Sequence, residues 1–257
     1  MIEKILRRDR ILVGAALGTL TLLAWIYMIQ MKTETVALGG PTGLHKIMSC
    51  CGVNFPLTFW MWTVMMAGMM IPSAAPMILT FATVNRKRQE NDGPYVPTAV
   101  FLGGYLAAWT AFSVFAAFAQ WALFHTSLLN PIEQAVTPWL GGSLFILAGF
   151  FQLTRFKDAC LTQCRSPLDF LTTDWREGFR GAFVMGWRHG LFCVGCCWML
   201  MVLLFVAGVM NLVWVAVIAF FVLAEKILPR RRWTIWMGGG LCFAAGMAMI
   251  LKAFRII

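Results

Sequence analysis

Four side chains that bind soft metals follow one another at helical spacing inside a long apolar stretch. They are His189, Cys193, Cys196 and Cys197. Offsets of four, seven and eight residues from the first place all of them on one face of a helix, which repeats about every 3.6 residues. Thiolate sulfur is the preferred ligand of Cu(I), zinc and iron–sulfur centres, and imidazole suits several of these metals. A lone cysteine is often only a small buried hydrophobe, but the group favours a metal-ligand set.

A row of methionines in another apolar stretch adds soft thioether sulfur. Residues 60–77 carry these methionines on two neighbouring helical rows, and Pro72 and Pro76 are expected to kink the same helix. Thioether sulfur suits Cu(I), although methionine is also an adaptable packing residue. We interpret four of them as secondary ligands: Met65, Met66, Met69 and Met70.

The remaining cysteines could form further metal-binding positions along a path through the protein. Cys160 and Cys164 are one helical turn apart, and we expect them to hold a metal with His189 or to receive one from a soluble carrier. Cys242 is expected near the middle of the membrane, at the level of the central cysteines. A group in the predicted loop outside the membrane could capture a metal or form a disulfide with another chain: His45, Cys50 and Cys51.

Composition places these residues in a membrane protein. The chain has 257 residues, of which 60% are hydrophobic and only 12% are charged, which is far outside the usual soluble range. The net charge of +10 does not indicate a nucleic-acid partner. Its basic residues form short clusters between apolar spans, which is the topology signal of a membrane protein.

Seven apolar stretches approach the roughly 20 residues that a helix needs to cross a bilayer. Lys and Arg concentrate in alternate segments between them, which predicts an N-terminus inside and a C-terminus outside. The sequence therefore predicts an all-α polytopic membrane protein, a single transmembrane helical domain over residues 1–257, in the lipid bilayer of a prokaryotic inner or plasma membrane. The predicted spans are 11–31, 57–82, 98–124, 138–153, 181–209, 212–224 and 233–251.

Ionisable residues inside these spans are expensive in lipid and mark either a function or a buried partner. A tight turn near Met210 would bring Glu225 and Lys226 close to the depth of Cys193, so we predict an ion pair between Arg188 and Glu225. The glycine clusters at 103–104 and 238–240 are expected to be sites of close helix packing. The sequence contains no Walker loop, no dinucleotide glycine pattern and no H-E-x-x-H motif.

Six stretches of the chain have a recognisable pattern. They are MMAGMMIP at 65–72, FLGGYLAAW at 101–109, QLTRFKDACLTQCRSP at 152–167, HGLFCVGCCWMLM at 189–201, MNLVW at 210–214 and Glu225-Lys226. Together they resemble a family of predicted metal-binding integral membrane proteins of unassigned function, often labelled copper-related. The resemblance covers most of the chain after residue 57, departs at Arg155-Phe156, and implies metal binding with copper as the usual suggestion. It leaves transport and catalysis open.

Three functions are compatible with these patterns. The first is a membrane protein of copper homeostasis that binds Cu(I), with zinc or iron as alternatives, for transport or for delivery to a membrane cuproenzyme. The second is a subunit of a copper-dependent membrane oxidoreductase or oxygenase, or that enzyme itself. The third is a structural subunit with packing cysteines. A thiolate-rich set with only three histidines favours a binding protein over an enzyme.

Overall fold

Helices account for nearly all of the part of the chain that the structure describes. The computed structural model describes residues 2–37, 54–89, 94, 96–129, 135–228 and 232–256, so His45, Cys50 and Cys51 lie outside it. A single isolated β-bridge joins Leu129 and Val136 within these residues. The helices are α1 (Ile2–Ala37), α2 (Phe55–Gln89), α3 (Thr98–His125), α4 (Pro138–Gln152), α5 (Arg155–Arg165), α6 (Pro167–Thr173), α7 (Gly178–Val202), α8 (Leu204–Ala207), α9 (Leu212–Ile227) and α10 (Arg232–Ile256).

Within the described ranges, five helical segments are long and apolar enough to cross a membrane, judged by length and composition. The prediction of an all-α chain with long apolar spans is confirmed. The fourth and sixth predicted spans are instead the shorter helices α4 and α9, of 15 and 16 residues. The seven-span count and the orientation of the termini stay predictions. The five segments are Arg10–Thr33, Phe55–Gln89, Thr98–His125, Gly178–Ala207 and Trp236–Phe254.

Local sequence signals set the starts of the shorter helices. The Thr154 hydroxyl caps α5 by accepting a hydrogen bond from the main-chain N–H of Lys157. The Asn211 side chain caps α9 in the same way through Trp214 N–H. The long helix α2 runs through Pro72 and Pro76 without ending. These caps matter because α5 and α9 supply side chains to the site described below.

Glycine lets α3 and α7 approach until their backbones touch. A methyl group added at Gly104 would collide with the carbonyl oxygen of Phe183, and one added at Gly186 would collide with that of Phe101. Gly103 instead faces open space. The prediction of close helix packing is therefore confirmed for Gly104 and not for its neighbour.

A second glycine contact joins α4 to α10. An added Cβ at Gly149 would lie 3.1 Å from the carbonyl oxygen of Gly239 on α10. Gly238 instead faces α9, where an added Cβ would lie 2.9 Å from the Phe221 ring. Gly240 has nothing within 4 Å. Small residues drive helix association in lipid because they allow close van der Waals contact, so these glycines fix the two tightest helix pairs.

Gly104→Ala should destabilise the protein, whereas Gly103→Ala should not. The added methyl at 104 meets backbone, which cannot rotate away, and overpacking of this kind costs roughly 1–3 kcal/mol. Gly103→Ala should change the free energy of unfolding by less than about 1 kcal/mol, the ordinary helix-propensity difference. Thermal unfolding of the purified variants in detergent measures both. Equal stability of the two variants would contradict the packing.

Candidate functional site

The sulfur of Cys193 lies at the centre of a buried polar cluster between four helices. Its Sγ is 2.9 Å from Lys226 Nζ on α9 and 3.2 Å from the Tyr105 hydroxyl on α3. Lys226 also donates a hydrogen bond of 2.9 Å to Ser73 Oγ on α2. The Tyr105 hydroxyl donates to the Met70 carbonyl oxygen at 3.2 Å. Cys193 is thus held by side chains from elements far apart in the sequence.

Lys226 brings a positive charge into this apolar interior. Its residue is only 8% exposed, and no carboxylate pairs with it among the residues that the structure describes. A buried ammonium without a compensating charge is strongly unfavourable. The group best placed to compensate it is the Cys193 sulfur, which is the only ionisable partner hydrogen-bonded to the ammonium in this described part of the chain. The contact therefore favours the thiolate form of Cys193, which is the form that binds metals.

The neighbouring cysteines of α7 surround the same point. The four residues predicted to share a helical face are all buried, as that spacing requires. Cys196 and Cys197 donate their thiol hydrogens to the Cys193 carbonyl oxygen at 3.1 and 2.9 Å. In this arrangement their sulfurs lie in the first turn beyond Cys193. Their role as metal ligands stays a prediction.

The short helix α5 adds two more thiols to the cluster. Cys164 interacts with the thiols of Cys193 and Cys196, and these hydrogen bonds raise the pKa of Cys164 well above its ordinary value. Burial raises the pKa of Cys160, helped by the nearby Cys196. The Cys160 sulfur occupies the space that a side chain at residue 195 would need, since a Cβ added to Gly195 would lie 2.9 Å from it. Gly195 therefore allows α5 to dock against α7.

His189 is buried one turn before Cys193. Its ring stacks on Tyr105 with centroids 5.7 Å apart and meets Phe170 edge-on at 5.6 Å. Its Nδ1 atom is buried and has no hydrogen-bond partner among the residues that the structure describes. Buried polar atoms are normally satisfied, so an unpaired imidazole nitrogen beside a thiol cluster needs an explanation. A soft metal ion is one species that would satisfy it.

The methionine row of α2 is buried beside the site. Met65, Met66, Met69 and Met70 are all 2% exposed or less. The main-chain carbonyl of Met70 accepts a hydrogen bond from the Tyr105 hydroxyl and so links this row to the site. Metal ligation by the thioethers stays a prediction.

The predicted ion pair between Arg188 and Glu225 is wrong. Glu225 pairs instead with Lys157 of α5, with both carboxylate oxygens 2.7 Å from Nζ, and Arg165 donates to the Glu225 carbonyl oxygen. Arg188 pairs with Asp174 at 2.6 Å. The hairpin of α7 and α9 alone would bring Arg188 near Glu225, but α5 inserts beside them and supplies Lys157 as the partner.

Cys242 interacts electrostatically with a different group of side chains. The charges that act on its thiol are those of Lys157 and Glu225, which form the buried ion pair. Gln152 also accepts a hydrogen bond from Lys157. Cys242 therefore borders the ion pair that anchors α5, and no described contact joins it to Cys193.

The donor atoms do not form a closed metal cage. No group of three or more His, Cys, Asp or Glu side chains is arranged to hold a metal ion in the described residues. The chemistry of the donors nevertheless fits a soft cation, because a compensated thiol, three neighbouring thiols and an orphaned imidazole nitrogen lie together.

Sequence reasoning missed three residues that build this site. Tyr105 and Ser73 carry no charge and lie in apolar spans, so the sequence pattern does not distinguish them from ordinary packing residues. Lys157 lies in the charged segment between two predicted spans, and nothing in the sequence indicates that its side chain is buried. The one available signal was Lys226, an ionisable residue at the end of an apolar run.

Glu225→Gln should destabilise the protein far more than Glu177→Gln. The first change leaves the Lys157 ammonium buried without a counter-charge, which costs about 3–5 kcal/mol. The second removes the carboxylate of an exposed pair with Arg88, which is worth at most about 1 kcal/mol. Thermal unfolding in detergent compares the two variants. A loss for Glu225→Gln as small as that for Glu177→Gln would show that the buried pair does not anchor α5.

Comparison with known proteins gives one match. A family model described as a copper chaperone, under the name PpoB2, matches residues 59–249. This range contains all of the polar cluster and begins near the point where the sequence resemblance begins. No curated protein and no solved structure matches the chain.

Proposed function

We propose that this chain, which belongs to the PpoB2 family described as copper chaperones, binds Cu(I) as cargo inside the membrane and passes it on. The family supports a copper-related role, and the apolar helices fit a membrane location. The observation that carries the proposal is the contact of Cys193 Sγ with the buried Lys226 ammonium at 2.9 Å. That contact holds a sulfur in the form that a soft cation requires.

Cys193 is the primary ligand in this proposal, because its sulfur is compensated and central. The second ligand comes from Cys164, Cys196 or Cys197, whose thiols are its neighbours. The unpaired Nδ1 of His189 is a further donor. Thiols are the donors that prefer Cu(I), and the apolar surroundings exclude competing water.

Cys164 is the proposed point of exchange with a partner. It is half-buried, whereas the other described cysteines are buried. It also lies on α5, outside the segments long enough to span a membrane. An ion bound near Cys193 could therefore reach a soluble carrier or a membrane cuproenzyme through this thiol. The choice between these partners does not alter the binding site.

The purified full chain, reduced and incubated with Cu(I), should retain about one copper ion per chain after the excess is removed, as expected for a high-affinity thiolate site. The triple variant Cys193→Ser, Cys196→Ser and Cys197→Ser should retain almost none. Cys242→Ser is the matched control and should bind like the wild type, since Cys242 borders the Lys157–Glu225 pair. Elemental analysis beside a protein assay gives the ratio.

Two results would overturn the proposal. One is a wild-type protein that retains no Cu(I). The other is a triple variant that remains folded by size-exclusion chromatography and retains as much copper as Cys242→Ser. The second result would assign the thiols to packing.

Cu(I) should protect Cys164 from alkylation. N-Ethylmaleimide modification, followed by mass spectrometry of the Cys164 peptide, should slow by at least about tenfold when Cu(I) is bound, because ligation removes the free thiolate. Modification of Cys242 should keep the same rate with and without the metal. An unchanged Cys164 rate in copper-loaded protein would remove this residue from the transfer route.

A further inference from the structure

We infer that Lys226 is a specificity-determining residue that selects a monovalent cation by fixing the charge of the site, an inference that rests on the proposed function. The side chain does not need to touch the metal for this role. It needs only to keep one positive charge beside the sulfur ligands, in buried surroundings. Lys226 is 8% exposed, and its Nζ lies 2.9 Å from Cys193 Sγ.

The positive charge is fixed where it lies by two hydrogen bonds. Lys226 Nζ is 2.9 Å from Cys193 Sγ and 2.9 Å from Ser73 Oγ. Ser73 itself donates to the Met70 carbonyl oxygen at 2.9 Å, so its hydroxyl oxygen is oriented to accept from the ammonium. Ser73 is neutral and cannot cancel the charge. Cys193 is therefore the compensating group.

The adjacent acid cannot take over that function. Glu225 is one residue away but its two carboxylate oxygens are both 2.7 Å from Lys157 Nζ. Successive residues on a helix point about 100° apart, so Glu225 and Lys226 face different neighbours. The Lys157–Glu225 pair is neutral by itself. Glu225 consequently does not balance the charge of Lys226, and this leaves Cys193 as the group that compensates the ammonium.

Charge counting then separates monovalent from divalent metals. Two thiolates around Cu(I) carry one negative charge, which the Lys226 ammonium cancels. The same two thiolates around Zn(II) are neutral already, so the ammonium leaves one uncompensated positive charge. Net charge is costly in a low-dielectric interior, and the ammonium therefore favours Cu(I).

Two thiolates hold the metal in this proposal. Cys193 supplies the thiolate that is compensated before metal binds, and one neighbouring thiol among Cys164, Cys196 and Cys197 supplies the second. When Cu(I) binds, one sulfur–hydrogen bond is lost, a copper–sulfur bond forms in its place, and the proton leaves to solvent. The charge added by Cu(I) equals the charge of the released proton, so the site stays neutral.

The test is competition of Cu(I) and Zn(II) for the full-length protein in detergent, with each metal buffered by a chelator of known affinity. Lys226→Met and Lys226→Gln remove the charge. Both should lower the Cu(I)-to-Zn(II) affinity ratio by at least about tenfold, the factor that corresponds to about 1.4 kcal/mol. Ag(I) against Cd(II) should show the same shift, because those ions differ in charge and are both soft.

Two control variants separate charge from hydrogen bonding. Ser73→Ala removes one hydrogen bond from Lys226 and keeps the ammonium, so any loss of affinity should be similar for Cu(I) and Zn(II). Lys226→Arg keeps the positive charge and should retain most of the wild-type ratio. Lys226→Gln keeps a donor for Ser73, which makes it the variant to use where Lys226→Met does not fold.

Three results would overturn the inference. The first is a ratio for Lys226→Met or Lys226→Gln equal to that of the wild type. The second is an equal loss of both metals, which would make Lys226 only structural. The third is a shift for Ser73→Ala as large as that for Lys226→Gln. A wild-type protein that binds no Cu(I) would instead refute the proposed function itself.

Discussion

A lysine ammonium held in an apolar interior against a cysteine sulfur is the interaction on which the rest of the site depends. Lys226 has no carboxylate partner in the described part of the chain, so Cys193 carries the compensating charge. Tyr105 and Ser73 complete the surroundings with hydrogen bonds to Cys193 and Lys226. The cost of burying the ammonium thus favours the thiolate form of Cys193, on which the proposed copper binding depends.

Helix packing makes the contact between Lys226 and Cys193 possible, because it brings distant parts of the chain together. Gly104 lets α3 touch α7, which places the Tyr105 hydroxyl beside Cys193. Gly195 leaves room for the Cys160 sulfur, and the Lys157–Glu225 pair fixes α5 to α9. Glycines and one buried ion pair therefore build a thiol-rich site that no single helix could form.

Periodicity was sufficient to predict the buried face of α7, because helical spacing alone decides which residues share a side. It was also sufficient for the all-α class. The family was predicted instead from the resemblance of several longer stretches, and the matched range confirms it. It failed for Glu225, whose partner Lys157 depends on how α5 docks, a contact 68 residues apart in sequence. The role of Tyr105 could not be predicted either, because it requires a specific register between α3 and α7. Local patterns carry no information on such long-range contacts.

X-ray absorption spectroscopy of the copper-loaded protein tests the central claim most directly, because it identifies the atoms bound to the metal. The account predicts Cu(I) with sulfur neighbours, and it predicts that Cys193→Ser loses this sulfur signature while Cys242→Ser keeps it. A copper ion surrounded only by oxygen and nitrogen, or a sulfur signature unchanged in Cys193→Ser, would contradict the account.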